Sequence, residues 1–489
     1  MSDYHLECKQ FISATTTTMT MNNGSSSRNN DKDDDPNVVQ ESVIRKMTRL
    51  AIEYKAVNLS QGFPNESPPW PLKVSLAHAV LSGRPPPTTT NTNTTTAVLQ
   101  QHISTMMVSA CGGNDLNHKN DQLNQYSPPC GRADLRAAIA HYYRRFYDYD
   151  TISPDDITVT LGATEALASA LRTIGRPGDK CVIFEPFHEL YPSQCKLFYL
   201  QPVYVTLRPS RNNSDHNNSN NNDSNNNDND NDNHSNSTWT YDETELETAL
   251  RDAKILILNT PHNPTGKVFT KMELTHIVAL CRQYDVYVIT DDIYEHMCYG
   301  KATRHMVLPK DFPDFTENIL VCNSIGKSAA ASGWRVGWCV HPPQLRDAYR
   351  GIHDQLCVMA PHPQQFACLS YLSLPEDYFR NLAPKYEHRV QKLTKALVAV
   401  GFQVIVPEGA YYLFVKYTSV APLVGMTSVE AAMYLLKHVG VACVPGDNFF
   451  GNNLQETTNT YLRFAACRSD EDLDAAIQRL EEKLVEHNE

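Results

Sequence analysis

No apolar run of about eighteen residues occurs in the 489-residue sequence, so nothing in it reads as a membrane-spanning helix. There is no basic run either. Lys and Arg number 43 against 55 Asp and Glu, a formal net charge of −12, which argues against a nucleic-acid partner. The 13 cysteines include no Cys-x-x-Cys pair and no Cys/His spacing of the zinc-binding kind. Scattered thiols fit a reduced, intracellular protein better than a disulfide framework, and no metal is expected. The first forty residues are rich in Thr, Ser, Asn and Asp and almost without arginine. They lack the apolar core of a secretory signal and the basic amphipathic pattern of a transit peptide. A disordered tail over 1–40 and a cytoplasmic location, ahead of a mitochondrial one, are the expectations.

Two internal stretches share this poverty of apolar residues. Residues 84–122 hold Pro-Pro-Pro and Thr/Asn runs, and 209–237 are almost entirely Asn, Asp and Ser. Neither can bury enough apolar surface to offset the entropy of ordering. Insertions add little closure entropy, so a fold carries them at surface turns. Between them, Asp134 to Tyr147 and Ala163 to Ile174 are amphipathic. Val182 to Glu185, Val203 to Leu207, Ile255 to Asn259, Val286 to Thr290 and Ile319 to Cys322 read as buried strands. Such alternation predicts an α/β class with a mostly parallel, helix-covered sheet. Beyond about residue 345 come longer helices, then the strands Val404 to Val406, Tyr411 to Val415 and Tyr461 to Ala465. This pattern predicts a smaller α+β domain over 346–489.

The most informative stretch runs from Leu320 to Trp338. An apolar strand enters a small-residue loop that presents Lys327, with Ser324 three residues before it and Arg335 eight after. A loop lysine can form an imine with an aldehyde. Serine and a guanidinium fork suit a phosphate. Imine plus phosphate points to pyridoxal phosphate, whereas the plain alternative is a solvated surface lysine. Two further motifs support the cofactor. Asp291 and Tyr294 close the apolar run Val286 to Thr290, placing a carboxylate and a phenol at the edge where open α/β sheets bind ligands. A carboxylate there can keep a pyridine nitrogen protonated. Asn263 stands in a proline-punctuated loop after Ile255 to Asn259. Singly these read as a solvated Asp-Asp turn and an Asn-Pro turn. All three in this order are not plausibly accidental.

The order Asn-Pro-x-Gly (263–266), Asp-x-x-Tyr (291–294), Ser-x-x-Lys (324–327) and Gly-Trp-Arg-Val-Gly (333–337) resembles the class I aminotransferases of fold type I. Asn58 to Pro64, Tyr126 with Gly131, Val159 to Glu165, Glu185 to Phe187, Pro407 to Tyr412 and Tyr461 to Phe464 match as well. The similarity runs from about Glu41 onward, interrupted by the two inserts. It is greatest to the kynurenine, glutamine and methionine aminotransferase branch.

This resemblance implies a large cofactor-binding domain over 72–345, a small domain over 346–489, and a segment 41–71 that joins the small domain. It implies that Lys327 carries the cofactor and then moves the substrate proton, and that Asp291 pairs with the pyridine nitrogen. Tyr294 and Asn263 would bond the phenolic oxygen. Ser324, Arg335 and the helix start at Ala163-Thr164 would hold the phosphate, a helix N-terminus being a natural anion site. Tyr126 would reach the phosphate of the neighbouring subunit. His188 stands where relatives carry Phe or Tyr on the ring face; it would stack there, titrating near neutral pH, or serve as a structural histidine. Arg463, assisted by the Gly62 N–H, would take the substrate α-carboxylate, the plain alternative being a surface ion pair. Val358 and Met359 would line the neighbouring subunit's side-chain pocket, which makes a homodimer with shared sites.

An apolar wall and no second arginine favour uncharged amino donors (kynurenine, glutamine, methionine, aromatic) with a 2-oxo acid acceptor. The same lysine chemistry leaves β-elimination from cysteine conjugates as an alternative, and a cyclopropane-forming synthase as another. A non-catalytic homologue is a third, against which the intact Lys327, Asp291, Tyr294 and Arg463 weigh.

Overall fold

The computed structural model describes residues 41–83, 121–211, 237–300, 304–451 and 460–485, with residues 100, 101, 103 and 104 between the first two segments. The expected disorder of 1–40 and the bulk of both inserts lie outside the described residues. In chain order the strands are β1 (Val57–Asn58), β2 (Ile157–Thr160), β3 (Lys180–Glu185), β4 (Gln201–Thr206), β5 (Arg208–Arg211), β6 (Ser237–Thr240) and β7 (Ala253–Asn259). There follow β8 (Tyr287–Asp291), β9 (Ile319–Ser324), β10 (Gly337–Val340), β11 (Tyr412–Lys416), β12 (Val441–Ala442), β13 (Val444–Pro445) and β14 (Tyr461–Ala465).

Seven strands build the main sheet in the order β2-β10-β9-β8-β7-β3-β4. The pairs β3–β4, β3–β7, β7–β8 and β8–β9 are parallel. Their continuous apolar runs follow from burial on both faces. The helix Ala163–Ile174 covers one face, packing Ala166, Leu167, Ala170 and Leu171 against Ile255, Ile257, Ile289 and Leu320. The helices Ala133–Tyr147 and Lys271–Gln283 bury their apolar stripes in the other large cluster. Strand β10 runs antiparallel to both β9 and β2. The twelve residues between Ser324 and Gly337 fold as one short helical turn and the lysine loop rather than as a crossover helix, and β10 returns antiparallel beside β9.

A second core gathers β11, β14 and the helices Leu382–Ala399 and Asp470–Val485. Strands β11, β14 and β13 form an antiparallel sheet. The segment before residue 71 packs here. Met47 and Ala51 of the helix Val43–Glu53 enter this core, and Val57 pairs with Val441 in register between β1 and β12.

Two expectations are corrected. Val404 to Val406 is not a strand; only Gln403 bridges to Lys416. The chain there is turning into Pro407, which has no N–H for a ladder, and Val406 is exposed. The second low-complexity stretch does not begin and end as loop. Arg208 to Arg211 pairs with Ser237 to Thr240 because Trp239 is buried in the main core. Among the described residues no helix is long and apolar enough to cross a membrane, and every cysteine is free.

Candidate active site

The parallel strands end together, and their last residues make the floor of one site. Asn259 ends β7, Asp291 ends β8 and Ser324 ends β9. This is the carboxyl edge where open α/β sheets take ligands. A cavity of ≈ 300 Å³ opens there, lined by Lys327, Asp291, Tyr294, Asn263, His188 and Arg463 among others. Gly62, Ala163, Thr164, Ser324 and Arg335 border the same space.

Lys327 sits on the single helical turn Ile325–Ser328, which Ser324 caps by accepting the Gly326 N–H at 3.3 Å. Its Nζ donates to the Gly62 carbonyl. Burial lowers the amine to about 8; Arg463 and Arg335 push the same way, while Cys467 and Asp291 oppose. A free amine is thus accessible near neutral pH. Gly62 meets the lysine through its carbonyl, which Tyr411 also contacts at 3.0 Å.

Asp291 is buried. Its Oδ2 accepts the Tyr191 hydroxyl at 2.8 Å, while Oδ1 has no hydrogen-bond partner. Burial raises the carboxyl to about 6. An orphaned buried acceptor costs stability unless a ligand donor meets it. Asn259 sets the spacing of this end of the sheet. Its Nδ2 donates to the Asp291 carbonyl at 2.8 Å, and its Oδ1 accepts the Asn263 N–H at 2.7 Å.

Arg463, on β14, is fully buried and has no acidic partner among the described residues. Nη1 donates to Asn263 Oδ1 at 2.9 Å and Nη2 to the Ser60 carbonyl at 2.8 Å. Its guanidinium lies 4.6 Å from the Tyr412 ring centroid and 5.0 Å from that of Phe449. This disposes of the surface ion pair. A buried guanidinium held by neutral carbonyls is prepared for an incoming carboxylate. Tyr294 shares a hydroxyl contact of 2.8 Å with Tyr412.

At the other end of the cavity stands the start of the helix Ala163–Ile174. Arg335, in the left-handed region, donates to the Leu161 carbonyl at 3.1 Å and the Ser332 carbonyl at 2.9 Å. Its guanidinium lies against Gly162, where a Cβ would meet Nη2 at 2.5 Å, so only glycine lets the arginine approach the helix start. Free N–H groups at Ala163-Thr164, Ser324 and this guanidinium make an anion cradle.

His188 departs from the expected titration. Burial first, then Arg463 and Lys327, lower it to about 3, so the ring is neutral at working pH. Its Nδ1 is buried without a partner. Tyr126, Val358 and Met359 do not line the cavity of their own chain. They share a surface patch instead, with Met359 Sδ accepting the Ser127 N–H at 3.0 Å. Tyr126 is 79% and Val358 47% exposed. Sequence reasoning missed Tyr191, Asn259 and Tyr412. Tyr191 carried no local signal, Asn259 ended the expected strand Ile255 to Asn259 without being given a role, and Tyr412 stood in a matched motif without one.

Comparison with known proteins accords with this geometry. Residues 85–480 match the family described as aminotransferase class I and II. A Saccharomyces cerevisiae protein named probable kynurenine–oxoglutarate transaminase is 30% identical over 373 residues, covering 73% of this chain and 80% of that protein. The solved N-succinyldiaminopimelate aminotransferase of Mycobacterium tuberculosis has 28% identity and a TM-score of 0.72, covering 90% of this chain and 96% of that one. An Escherichia coli structure with a methionine aminotransferase function has 26% identity and a TM-score of 0.71, covering 91% and 97%. With this match and this site geometry, the chain belongs to the class I and II aminotransferase family.

Proposed function

We propose that this aminotransferase uses pyridoxal phosphate to move an amino group from an uncharged amino acid, of the kynurenine, methionine, glutamine or aromatic type, to a 2-oxo acid. The observation that carries the reading is the convergence, in one cavity, of a desolvated lysine amine and a buried carboxylate oxygen with no partner. The residues fit the cofactor. Asp291 Oδ1 is free for a pyridinium N–H, and the cradle at Ala163-Thr164, Ser324 and Arg335 suits its phosphate. When bound, this cofactor supplies an electron sink for the substrate Cα.

The chain's own residues do the rest. Lys327 would hold the cofactor's aldehyde, and its lowered basicity suits an amine that takes a proton from the substrate Cα. Asp291 keeps the ring nitrogen protonated. Tyr294 and Asn263 orient the phenolic oxygen. His188, neutral and lining the cavity, would border the cofactor ring without adding charge. Arg463 takes the α-carboxylate as a bidentate pair, with the Gly62 N–H assisting. Tyr126, Val358 and Met359 serve the neighbouring subunit in a homodimer, which explains an exposed patch that misses its own cavity. Relatives named for kynurenine and methionine support the donor class.

A panel of amino donors, each with 2-oxoglutarate and other 2-oxo acids, tests the proposal on purified protein. Kynurenine, methionine, glutamine or phenylalanine should turn over faster than aspartate. Turnover confined to acidic donors would overturn the substrate assignment.

A further inference from the structure

We propose that Glu165, His353 and Cys357 form a site for a zinc-like divalent cation, separate from the aminotransferase cavity. His353 and Cys357 stand four residues apart at the end of the helix Arg346–Cys357, so their side chains share one face. Glu165 lies in the first turn of the helix Ala163–Ile174. His353 Nδ1 is 3.0 Å from Glu165 Oε1 and 3.6 Å from Cys357 Sγ. One ligand atom from each residue lies within 4.8 Å of the others. A tetrahedral zinc with bonds of about 2.0–2.3 Å holds its ligand atoms about 3.3–3.6 Å apart. The two separations from His353 Nδ1 are close to those tetrahedral edges, and the carboxylate and thiol atoms lie within 4.8 Å of each other.

The surroundings have the form that orients metal ligands. His353 Nε2 donates to the Pro129 carbonyl at 2.8 Å, which leaves Nδ1 as the coordinating nitrogen. Glu165 is fixed as well. Its Oε2 accepts the Leu161 N–H at 3.0 Å, and Ser169 donates its hydroxyl to Oε1. His353 is fully buried and Glu165 nearly so, whereas Cys357 is half-exposed and gives the ion its approach. One thiolate, one imidazole and one carboxylate select zinc or cobalt rather than magnesium or calcium. Binding displaces the proton on Nδ1 and the proton of the thiol, so two protons leave as one dication enters. Three protein ligands leave a fourth position for water. The ion would tie the first turn of the helix beside the anion cradle to the last turn of the helix that precedes Val358.

The test uses full-length protein, stripped with a chelator and titrated with Co²⁺. One equivalent should bind per chain, with tetrahedral cobalt absorption in the red and a thiolate-to-cobalt band in the near ultraviolet. Zn²⁺ should abolish both. Cys357→Ser should lose the thiolate band and weaken binding about tenfold or more, and Glu165→Gln should weaken it as well. A second measurement needs no variant: Zn²⁺ should slow alkylation of Cys357 in the unmutated protein, read by peptide mass spectrometry. No cobalt bound, an unchanged spectrum in Cys357→Ser, or equal alkylation with and without zinc would each overturn the site and leave an imidazolium–carboxylate ion pair beside a bystander thiol.

Discussion

Tyr191 donates its hydroxyl to one oxygen of Asp291 at 2.8 Å and leaves the other oxygen buried without a partner. This carboxylate is therefore poorly served by the protein alone. Burial raises its folded pKa to about 6, above its ordinary value. Without cofactor, the group costs nothing below the unfolded pKa of about 3.9 and destabilises the fold as pH rises through about 6. Cofactor-free Asp291→Asn should melt above the wild type at pH 7.5 and match it near pH 4. The holoenzyme should show the opposite preference, with kcat falling ~10²-fold when this preorganised charge is lost. Thermal melts at both pH values and steady-state rates check both halves. Asp292→Asn is the control: Asp292 pairs with buried His305 at 3.1 Å, so its loss should lower stability.

Arg463 offers a complementary case. It is buried and charged, with only neutral acceptors around it. Arg463→Lys keeps the charge and loses the fork. The expected result is a ~10- to 100-fold fall in kcat/KM, carried mainly by KM. An unchanged KM for both substrates would remove Arg463 from carboxylate recognition.

The shared patch of Tyr126, Val358 and Met359 makes a prediction about pairs of chains. Mix Lys327→Ala chains with chains carrying Tyr126→Phe and Met359→Arg. In a mixed dimer one site is whole and the other holds every lesion. Activity should recover toward roughly a quarter of wild type, because about half the dimers are mixed. Subunit exchange without recovered activity would show that the three residues act within their own chain.

Arg211 and Ser237 are register partners across the Asn-rich stretch. Replacing 212–236 by Asn-Gly should therefore close a two-residue hairpin. Melting temperature and kcat should change little. Loss of soluble protein on this replacement would show that the stretch contributes packing.

What was legible in the sequence is what short-range pattern encodes. Asp291 and Ser324 end apolar runs as strand-end residues, while Asn263 and Lys327 follow such runs in the loop and the helical turn just beyond. The parallel pairing of β3, β7, β8 and β9 agrees with the same runs, whereas their order in the sheet was not legible. Tyr191 and Asn259 were hidden because their contacts to Asp291 span 100 and 32 residues without any motif. The reversal of β10 depends on the lysine loop folding back without a crossover helix, which no local pattern gives. Val404 to Val406 has strand composition, but Pro407 ends its chance of pairing. The expectation of no metal is untested; the proposed cluster joins a local His353-x-x-x-Cys357 pair, outside the Cys-x-x-Cys and zinc-finger patterns, to a carboxylate 188 residues from its histidine.

On the proposed function Lys327 carries the cofactor covalently, with an amine lowered to about 8 by burial. Capture of pyridoxal phosphate by cofactor-free protein should speed up as pH rises through about 8, where the free amine becomes the major form. Borohydride reduction of the captured product, followed by digestion and mass spectrometry, locates the bond. One reduced adduct is expected, on the peptide containing Lys327, and none in Lys327→Ala. An adduct confined to any other lysine, or none in protein that still transaminates, would contradict this assignment.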